Sequence, residues 1–242
     1  QIQQLNELLY HNEKLASLGE ASATIAHEIR NPLTALGGFA RRVLKSAQVG
    51  GADREAVEII VRETARLERI LNDQLAFVRS AGLRLVPTSL NGLVRECVAL
   101  LRQQLEVRHA ALRLHLDGTL PMALLDPDRM KQVLVNVIMN AIEAVGAGGS
   151  IQIRTASTAD TVEVEIANTG PPIDPEVAQK LFMPFSTTKQ EGTGLGMAVV
   201  QQIVVEHHGT IQVRSEAPWG GIFTIRLPLQ PPGPAPGEGL AV

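Results

Sequence analysis

A seven-residue spacing of apolar side chains over the first 80 residues is the feature that most constrains the fold. One series contains Leu8, Leu15, Ser22, Ile29, Leu36 and Val43, and a second contains His11, Leu18, Ile25, Pro32 and Phe39. A later stretch repeats the spacing at Val57, Thr64, Leu71 and Val78, with Ile60 and Leu67 alongside. Such a repeat forms an apolar seam along one side of a helix. The pattern predicts two long helices joined by a turn at residues 48–53, with Asp53 as the N-cap of the second.

Two helices alone bury little apolar surface, so their seam needs a partner. A four-helix bundle made by two copies of the chain is the expected solution, which predicts a homodimer. We assign residues 1–82 to this domain and residues 83–88, which hold Pro87 between Gly82 and Ser89, to a hinge.

Residues 89–229 mix helical and strand patterns and are assigned to a second, α/β domain, which makes the fold class α+β. Predicted helices run from Ser89 to about Leu105, Asp126 to about Val145, Asp174 to Leu181, and Gly196 to about His208. Alternating apolar residues predict strands at 112–116, 151–154, 162–166, 211–214 and 222–227, the last two forming a hairpin around Trp219-Gly220-Gly221. The Pro-rich residues 230–242 are expected to be disordered.

Composition excludes several classes of function. A net charge of -3 and an aromatic content of 3% argue against nucleic-acid binding. The single cysteine, Cys97, excludes an internal disulfide and fits a reducing compartment. No apolar run reaches the ~18 residues that span a bilayer. Since the sequence starts at Gln1 inside a predicted helix, we expect a piece of a longer protein that acts in the cytoplasm, with membrane attachment only through an upstream segment.

His27 is the first candidate for chemistry. It precedes a carboxylate, Glu28, and lies one helical turn before Asn31. The heptad places His27 off the packed seam, and Pro32 is expected to kink the helix just beyond it. An ordinary surface histidine is the alternative interpretation of this position.

Two amides make the second candidate site. Asn136 and Asn140 are four residues apart on a predicted helix and therefore share one face, away from Val133, Val137 and Ala141. Amide oxygens suit Mg²⁺, which also takes ligands from phosphates and water. A structural hydrogen-bonded pair is the alternative.

Two glycine-containing segments complete the set. Asn168-Thr-Gly170 ends a predicted strand, where Asn168 can read the edge of an adenine and Gly170 permits close backbone approach, although a plain turn fits as well. Gly192-Thr193-Gly194-Leu195-Gly196 leads into a helix whose N-terminus favours phosphate, and Lys189 precedes it. Its spacing is neither that of a P-loop nor that of a dinucleotide-binding fingerprint.

In this order, the segments resemble the dimerisation/phosphoacceptor and catalytic ATP-binding domains of a bacterial sensor histidine kinase, over about residues 10–228. The resemblance lies in the phosphoacceptor box at His27–Pro32, the asparagine box at Asn136 and Asn140, the phenylalanine box at Phe182 and Phe185, and the second glycine box at 192–196. The Phe-Ser-Thr-Thr-Lys lid is similar to that of sporulation and nitrogen-regulator kinases.

The resemblance implies an α/β sandwich of the GHKL (Bergerat) type, as in gyrase and heat-shock chaperone ATPases. It implies that ATP phosphorylates His27, that Glu28 orients and deprotonates it, and that the phosphoryl group passes to an aspartate of a response regulator receiver domain. Asn31 would position a water for a phosphatase reaction. Asn140, helped by Asn136, would hold Mg²⁺, and Thr193 with the neighbouring glycines would close on the phosphates.

Two departures from the family pattern matter. Asn168 and Pro172 stand where the family's first glycine box has aspartate and glycine. The side chain at 168 keeps an oxygen that can accept from adenine, but it has lost the negative charge. We expect Asn168→Ala to abolish nucleotide binding. Glu143 stands where a lysine is frequent, which leaves Lys189 to supply that contact. Two other functions stay open: a catalytically silent scaffold that binds nucleotide, and a net phosphatase of its partner.

Overall fold

A computed structural model describes residues 33–45, 51–78, 82–146, 148–184, 186 and 194–230. The chain divides into two compact units. The described part of the first unit comprises residues 33–45, 51–78 and 194–195, and that of the second comprises the remaining described residues from 82 onward. The three predicted catalytic residues His27, Glu28 and Asn31 lie outside the described residues, as do Lys189, Gly192 and Thr193.

The described part of the first unit contains two helices, as the heptad pattern predicts. Helix α1 covers residues 33–44, and α2 covers Gly51–Val78. The prediction of Asp53 as N-cap was wrong, because α2 begins two residues earlier and Asp53 lies in its first turn, where a carboxylate still favours the helix dipole. The two helices approach closely at Gly37, where an added Cβ would lie 3.1 Å from the hydroxyl oxygen of Thr64.

The second unit is built on a five-stranded mixed sheet. Its strands are β2 (Ala111–His115), β4 (Ser150–Ser157), β5 (Thr161–Asn168), β6 (Thr210–Glu216) and β7 (Trp219–Pro228), in the order β2-β4-β5-β7-β6. Only the β2–β4 pair is parallel; β4–β5, β5–β7 and β7–β6 are antiparallel. A separate two-stranded antiparallel sheet joins β1 (Val86–Thr88) to β3 (Ala123–Leu125).

The core lies between one face of this sheet and three helices. Alternate residues of the central strands are buried on that face, which include Ile153 of β4, Val164 and Ile166 of β5, and Ile225 of β7. Helices α3 (Leu90–Leu100), α5 (Pro127–Ala144) and α7 (Gly196–Glu206) form the second layer, with α5 packed against both of the others. A short helix, α6 (Pro175–Lys180), follows β5. This is the α/β sandwich that the family resemblance implies.

The helix predicted from Ser89 to Leu105 is two helices. Ser89 caps α3 as expected, accepting from the backbone N–H of Gly92, but the chain bends at Leu101 before α4 (Arg102–Val107). Cys97, Leu101 and Leu105 are all buried and recur every four residues. A straight helix would rotate such a series by about 40° at each step. The bend therefore keeps Leu105 facing the core.

The predicted turn at Trp219-Gly220-Gly221 was also wrong. Strand β7 already begins at Trp219, and the turn lies at Ala217 and Pro218. Glycine is required within this strand because a Cβ on Gly220 would lie 1.7 Å from the carbonyl oxygen of Gly170. The two glycines thus reflect close packing rather than a turn.

Part of the predicted hinge is ordered. Val86–Thr88 forms strand β1, while Arg84 donates its backbone N–H to the Asp126 carboxylate at 3.0 Å. Within the part of the chain that the structure describes, every helix is too short or too polar to cross a bilayer.

Candidate nucleotide-binding site

The end of β5 places Asn168 on the core face of the sheet. Its side chain continues the buried series of Val164 and Ile166 and is only 2% exposed. Both ends of the amide are satisfied when Oδ1 accepts from the backbone N–H of Gly170 at 3.0 Å and Nδ2 donates to the carbonyl of Gly221 at 3.2 Å. A buried amide held at both ends has one orientation.

Three backbone segments meet beside Asn168. An added Cβ on Gly170 would lie 2.6 Å from the Ala144 carbonyl at the end of α5, so only glycine fits between the loop and the helix. Gly220 of β7 packs on the other side of this loop. The Thr169 hydroxyl accepts from the backbone N–H of Ser150 at 2.8 Å, which ties the loop to the start of β4. This explains why the sequence is glycine-rich here and not merely turn-like.

Helix α5 presents the amides predicted as metal ligands. Val133, Val137 and Ala141 are fully buried, whereas Asn136 and Asn140 lie on a different face and are half-buried. They precede Ala144 by eight and four residues, about 12 Å and about 6 Å along the helix axis. Asn140 therefore lies between Asn136 and the Gly170 loop.

The start of α7 approaches the far end of this row. A Cβ on Gly196, the first residue of α7, would lie 3.7 Å from Oδ1 of Asn136. Gly194 has φ 68°, a left-handed conformation that glycine adopts without strain. Leu195 is buried. The first N–H groups of an α-helix have no partner within the helix and attract anions.

The structure thus brings the predicted residues together in two contacts joined by α5. Asn168 and Gly170 meet at its C-terminal end, and Asn136 meets Gly196 near its middle. The phosphoacceptor residues and the lid residues 187–193 lie outside the described part. Sequence reasoning missed the contributions of Gly220 and Gly221, whose only signal was a glycine pair that is equally typical of a turn.

Asp126 fixes the N-terminal end of α5. One carboxylate oxygen accepts from the backbone N–H groups of Asp128 and Arg129 and the other from that of Arg84. Burial raises the pKa of the Asp126 carboxyl, but these three donors outweigh it and hold the pKa below 3.8. The carboxylate therefore remains charged at neutral pH and secures the helix that carries both amides.

His207, just after α7, bonds Asp126 at the N-terminal end of α5. The helix predicted from Gly196 to about His208 is α7, which ends at Glu206, and His208 has φ 57°. The structure adds that His207 is buried and bonded at both ring nitrogens. Nε2 accepts from the Asp126 backbone N–H at 3.0 Å, so the proton sits on Nδ1, 2.7 Å from the Ile203 carbonyl. No local sequence pattern marks this bond, which spans 81 residues.

The stability of the chain is expected to fall as the pH drops below 6.5. Burial lowers the pKa of folded His207 below that value, whereas the unfolded residue titrates near it. The stabilisation is therefore complete above pH 6.5 and is lost as the pH falls through the folded pKa. Asp126 adds a further loss only at more acid pH, because its folded pKa lies below 3.8. Urea unfolding between pH 5 and pH 8 measures the effect.

A matched pair of variants separates His207 from the other histidines. His207→Gln removes the titrating ring but leaves an oxygen to accept from Asp126, so it should be less stable and show a flatter pH dependence. His115→Gln makes the same change at an exposed position of β2 and should retain the slope. An unaltered slope in His207→Gln would contradict the assignment.

Two other features do not form a site. Burial raises the pKa of the Cys97 thiol to about 11, which keeps it protonated and unreactive at neutral pH. A groove on the opposite, solvent-facing side of the sheet is lined by charged residues, but Arg214 there pairs with Glu165 at 2.7 Å.

Comparison with known protein families gives two matches. Residues 17–82 match the His Kinase A (phospho-acceptor) domain, and residues 125–231 match the histidine kinase-, DNA gyrase B- and HSP90-like ATPase domain. His27 lies within the first match, and Asn136, Asn140 and Asn168 lie within the second.

Curated relatives agree with these matches. The sensor histidine kinase ZraS of Escherichia coli K12 is 38% identical over 227 residues, which cover 94% of this chain and 49% of ZraS. Sporulation kinase E of Bacillus subtilis is 34% identical over 228 residues, covering 94% of this chain and 31% of that protein. The chain therefore spans half or less of the length of these two relatives.

Solved structures show the same architecture. Full-length ShkA in complex with AMPPNP matches 86% of this chain and 45% of its own, with a TM-score of 0.74 and 26% identity. Histidine kinase ThkA in complex with the response regulator TrrA matches 94% of this chain and 66% of its own, with a TM-score of 0.68 and 33% identity.

A structure of the ThkA catalytic domain alone is matched over nearly its whole length. It is 34% identical, with a TM-score of 0.58, and the match takes in 98% of that domain and 62% of this chain. The sandwich with its Asn-bearing central helix is thus the ATPase domain of these kinases, and a phosphoacceptor domain precedes it. The chain belongs to the bacterial sensor histidine kinases of two-component systems.

Proposed function

We propose that this chain is an ATP-dependent histidine kinase that phosphorylates His27 and passes the phosphoryl group to an aspartate on the receiver domain of a response regulator. The observation that carries the proposal is the presence, in one chain, of a phosphoacceptor match that includes His27 and an ATPase match that includes the α5 amides. We infer that it works in the cytoplasm, where ATP is available. A hinge just before Arg84, whose backbone is already bonded to Asp126, would let the two domains meet and separate.

ATP is the proposed substrate of the site along α5. Its adenine would lie at Asn168 and Gly170, at the C-terminal end of the helix. Its phosphates would lie toward Gly196 at the start of α7, because the N-terminus of a helix favours anions. Gly192, Thr193 and Lys189 precede this helix start and would close on the phosphates.

The α5 amides fit a Mg²⁺ that is held mainly by the nucleotide. Asn136 and Asn140 offer neutral oxygens, the hard ligands that Mg²⁺ prefers, and phosphates and water would supply the others. Among the described residues, no three His, Cys, Asp or Glu side chains cluster as an all-protein metal cage would require. When bound, the ion would neutralise charge on the phosphates.

The phosphoryl transfer needs a nucleophile and a base. One ring nitrogen of neutral His27 would attack the γ-phosphorus in line. The bond from that phosphorus to the oxygen of the β-phosphate breaks, and ADP leaves with the bonding electrons. Glu28 would accept the proton from the other ring nitrogen, so the product is a neutral phosphoimidazole. Asn31 would position a water if the chain also hydrolyses the phosphoaspartate of its regulator, which is a separate phosphatase reaction.

Homodimerisation would complete the helical domain. Leu36, Phe39 and Val43 follow the heptad seam of α1 and are 54%, 60% and 43% exposed in the single chain. Ile60 and Leu67 on α2 are exposed as well. Solvent-exposed apolar residues at seam positions are what a second copy would cover in a four-helix bundle.

Incubation with Mg²⁺ and γ-labelled ATP tests the proposal. The expected result is label on the protein that is labile to acid and stable to alkali, as phosphohistidine is. Label from α-labelled ATP should be absent, since ADP leaves. Measurable ATP binding without any label would instead favour a silent scaffold or a phosphatase.

A further inference from the structure

We propose that Ser215 and Pro172 are positioning residues of the ATP site, with Ser215 fixing one end of the 170–173 loop and Pro172 transmitting that position to Gly170. The proposal rests on the proposed function, because it concerns nucleotide binding beside Gly170. Neither residue needs to touch the nucleotide. Both would act by keeping the loop in its binding position before ATP arrives.

The loop has a single backbone donor at its far end. Pro171 and Pro172 have no N–H group, so the first donor after Gly170 is that of Ile173. The Gly170 N–H itself donates to Oδ1 of Asn168. The contacts of the Ile173 N–H therefore determine how firmly this end of the loop is held.

Ser215 makes the shorter of two hydrogen bonds to that donor. Its Oγ accepts from the Ile173 N–H at 2.9 Å, whereas the carbonyl oxygen of Gly220 accepts from the same N–H at 3.3 Å. The Ser215 hydroxyl in turn donates its proton to the Gly220 carbonyl. One side chain thus ties the loop to both strands of the hairpin, to β6 through its own backbone and to β7 through Gly220.

The register of the hairpin explains why this hydroxyl reaches the loop. The pairing of β6 with β7 shifts by one residue at Ser215, which stands opposite both Gly220 and Gly221. Such a bulge bends a strand and turns nearby groups in a new direction. A Cβ on Gly221 would lie 3.2 Å from Cδ1 of Ile173, so the loop packs directly on the bulge. Ser215 therefore lies where the loop and the hairpin meet.

The two prolines are stiff enough to carry the position of Ile173 back to Gly170. Each proline ring fixes φ at about −65°, and Pro172 also restricts the residue before it. Both prolines are exposed, so packing is not what holds them. Pro172 stands where the family pattern has glycine, which would let the two ends of the loop move independently. The proline thus couples the Ile173 anchor to the N–H that orients Asn168.

An anchored loop favours binding because ATP does not have to order it. Without the anchor, only a fraction of the molecules would hold the loop in place, and the apparent affinity would fall by that fraction. One hydrogen bond of this kind changes such an equilibrium by roughly 2- to 10-fold. Since residues 171 and 172 lie at the surface, a looser loop should leave the unfolding of the domain almost unchanged.

Ser215→Ala tests the anchor in the whole chain, both without and with nucleotide. Without nucleotide, amide hydrogen exchange in peptides that cover residues 168–174 should become faster by about 2- to 10-fold. ATP affinity, measured by displacement of a fluorescent ATP analogue, should fall by a similar factor. The melting temperature should change little.

Two further variants provide the comparison. Ser215→Thr keeps the hydroxyl in a strand, where β-branched residues fit well, and it should restore both exchange and affinity. Ser157→Ala removes an exposed hydroxyl from the end of β4 and should behave like the wild type in every measurement.

A double-mutant cycle with Pro172→Gly tests the transmission. Pro172→Gly alone should weaken ATP binding, because the Ile173 anchor no longer sets the position of Gly170. Adding Ser215→Ala to Pro172→Gly should then lower the affinity by a smaller factor than it does in the wild type. If Ser215 served only the hairpin, the factor would be the same in both backgrounds.

Wild-type exchange and affinity in Ser215→Ala would overturn the anchoring role of Ser215, and equal factors in the two backgrounds would overturn the transmission through Pro172. A large fall in the melting temperature of Ser215→Ala would show that the serine serves the fold as a whole, which also overturns the proposal. These results would leave the kinase proposal intact. Failure of the wild-type chain to bind ATP would overturn both this inference and the proposed function.

Discussion

His27→Gln is expected to lose all acid-labile label in a kinase assay, a fall of at least ~10³-fold. A glutamine side chain has no nucleophilic ring nitrogen, so no phosphoimidazole can form. ATP affinity should be unchanged, because the predicted nucleotide contacts are in the ATPase match and not in the phosphoacceptor match. Label retention is measured with γ-labelled ATP, and affinity is measured by displacement of a fluorescent nucleotide.

The exposed His115 supplies the matched control. His115→Gln makes the same change on β2, outside the proposed phosphoacceptor motif, and should label like the wild type. Label that persists in His27→Gln would show that another residue is the acceptor. Loss of label in both variants would show that the loss is not specific to His27, and it would contradict the expectation that only His27 is required.

Gly220→Ala is expected to destabilise the ATPase domain and to weaken nucleotide binding. The new Cβ would lie 1.7 Å from the Gly170 carbonyl oxygen and 2.6 Å from that of Pro171. Both obstacles are backbone atoms, so β7 and the loop must move apart. Overpacking typically costs ~1–3 kcal/mol, and we expect the upper end. This corresponds to a melting temperature lower by roughly 6–12 °C for a domain of this size.

The effect on nucleotide binding follows from the contact of Gly220 with the backbone of Gly170. Displacement of Gly170 removes the N–H that orients Asn168, so ATP affinity should fall more than about 10-fold. Thermal unfolding by circular dichroism and nucleotide displacement measure the two effects. Gly118→Ala is the control, since an added Cβ there meets nothing within 4 Å, and its melting temperature should change little. Wild-type stability and affinity in Gly220→Ala would rule out this packing.

The secondary structure was largely accessible from the sequence because its local signals are strong. Asp126-Pro127 marks the start of α5, and the alternation at 151–154 and 162–166 marks β4 and β5. The errors arose where packing decides. The bend at Leu101 serves burial of Leu105, and β1 exists only because β3 pairs with it 37 residues later, as Val86 faces Leu125 and Thr88 faces Ala123.

The candidate site was also predictable where local spacing sets it and unpredictable where distant contacts set it. Asn136 and Asn140 share a helix face by spacing alone, so the sequence predicts their association. The Asn168 amide could be placed at a strand end, but its orientation depends on Gly221, which the chain reaches only after α7 and β6. Nothing local to either residue indicates that contact.

By itself, the sequence determined the helical seam, the alternation of the sheet, the polar face of α5 and the motifs of the histidine kinase family. These depend on periodicity and residue type, which act over a few residues. Only the tertiary structure decided that Gly220 packs against Gly170, that His207 bonds Asp126, and that Asn168 is buried in one orientation. Those contacts join residues far apart in the chain, and their geometry is set by how the sheet and helices pack.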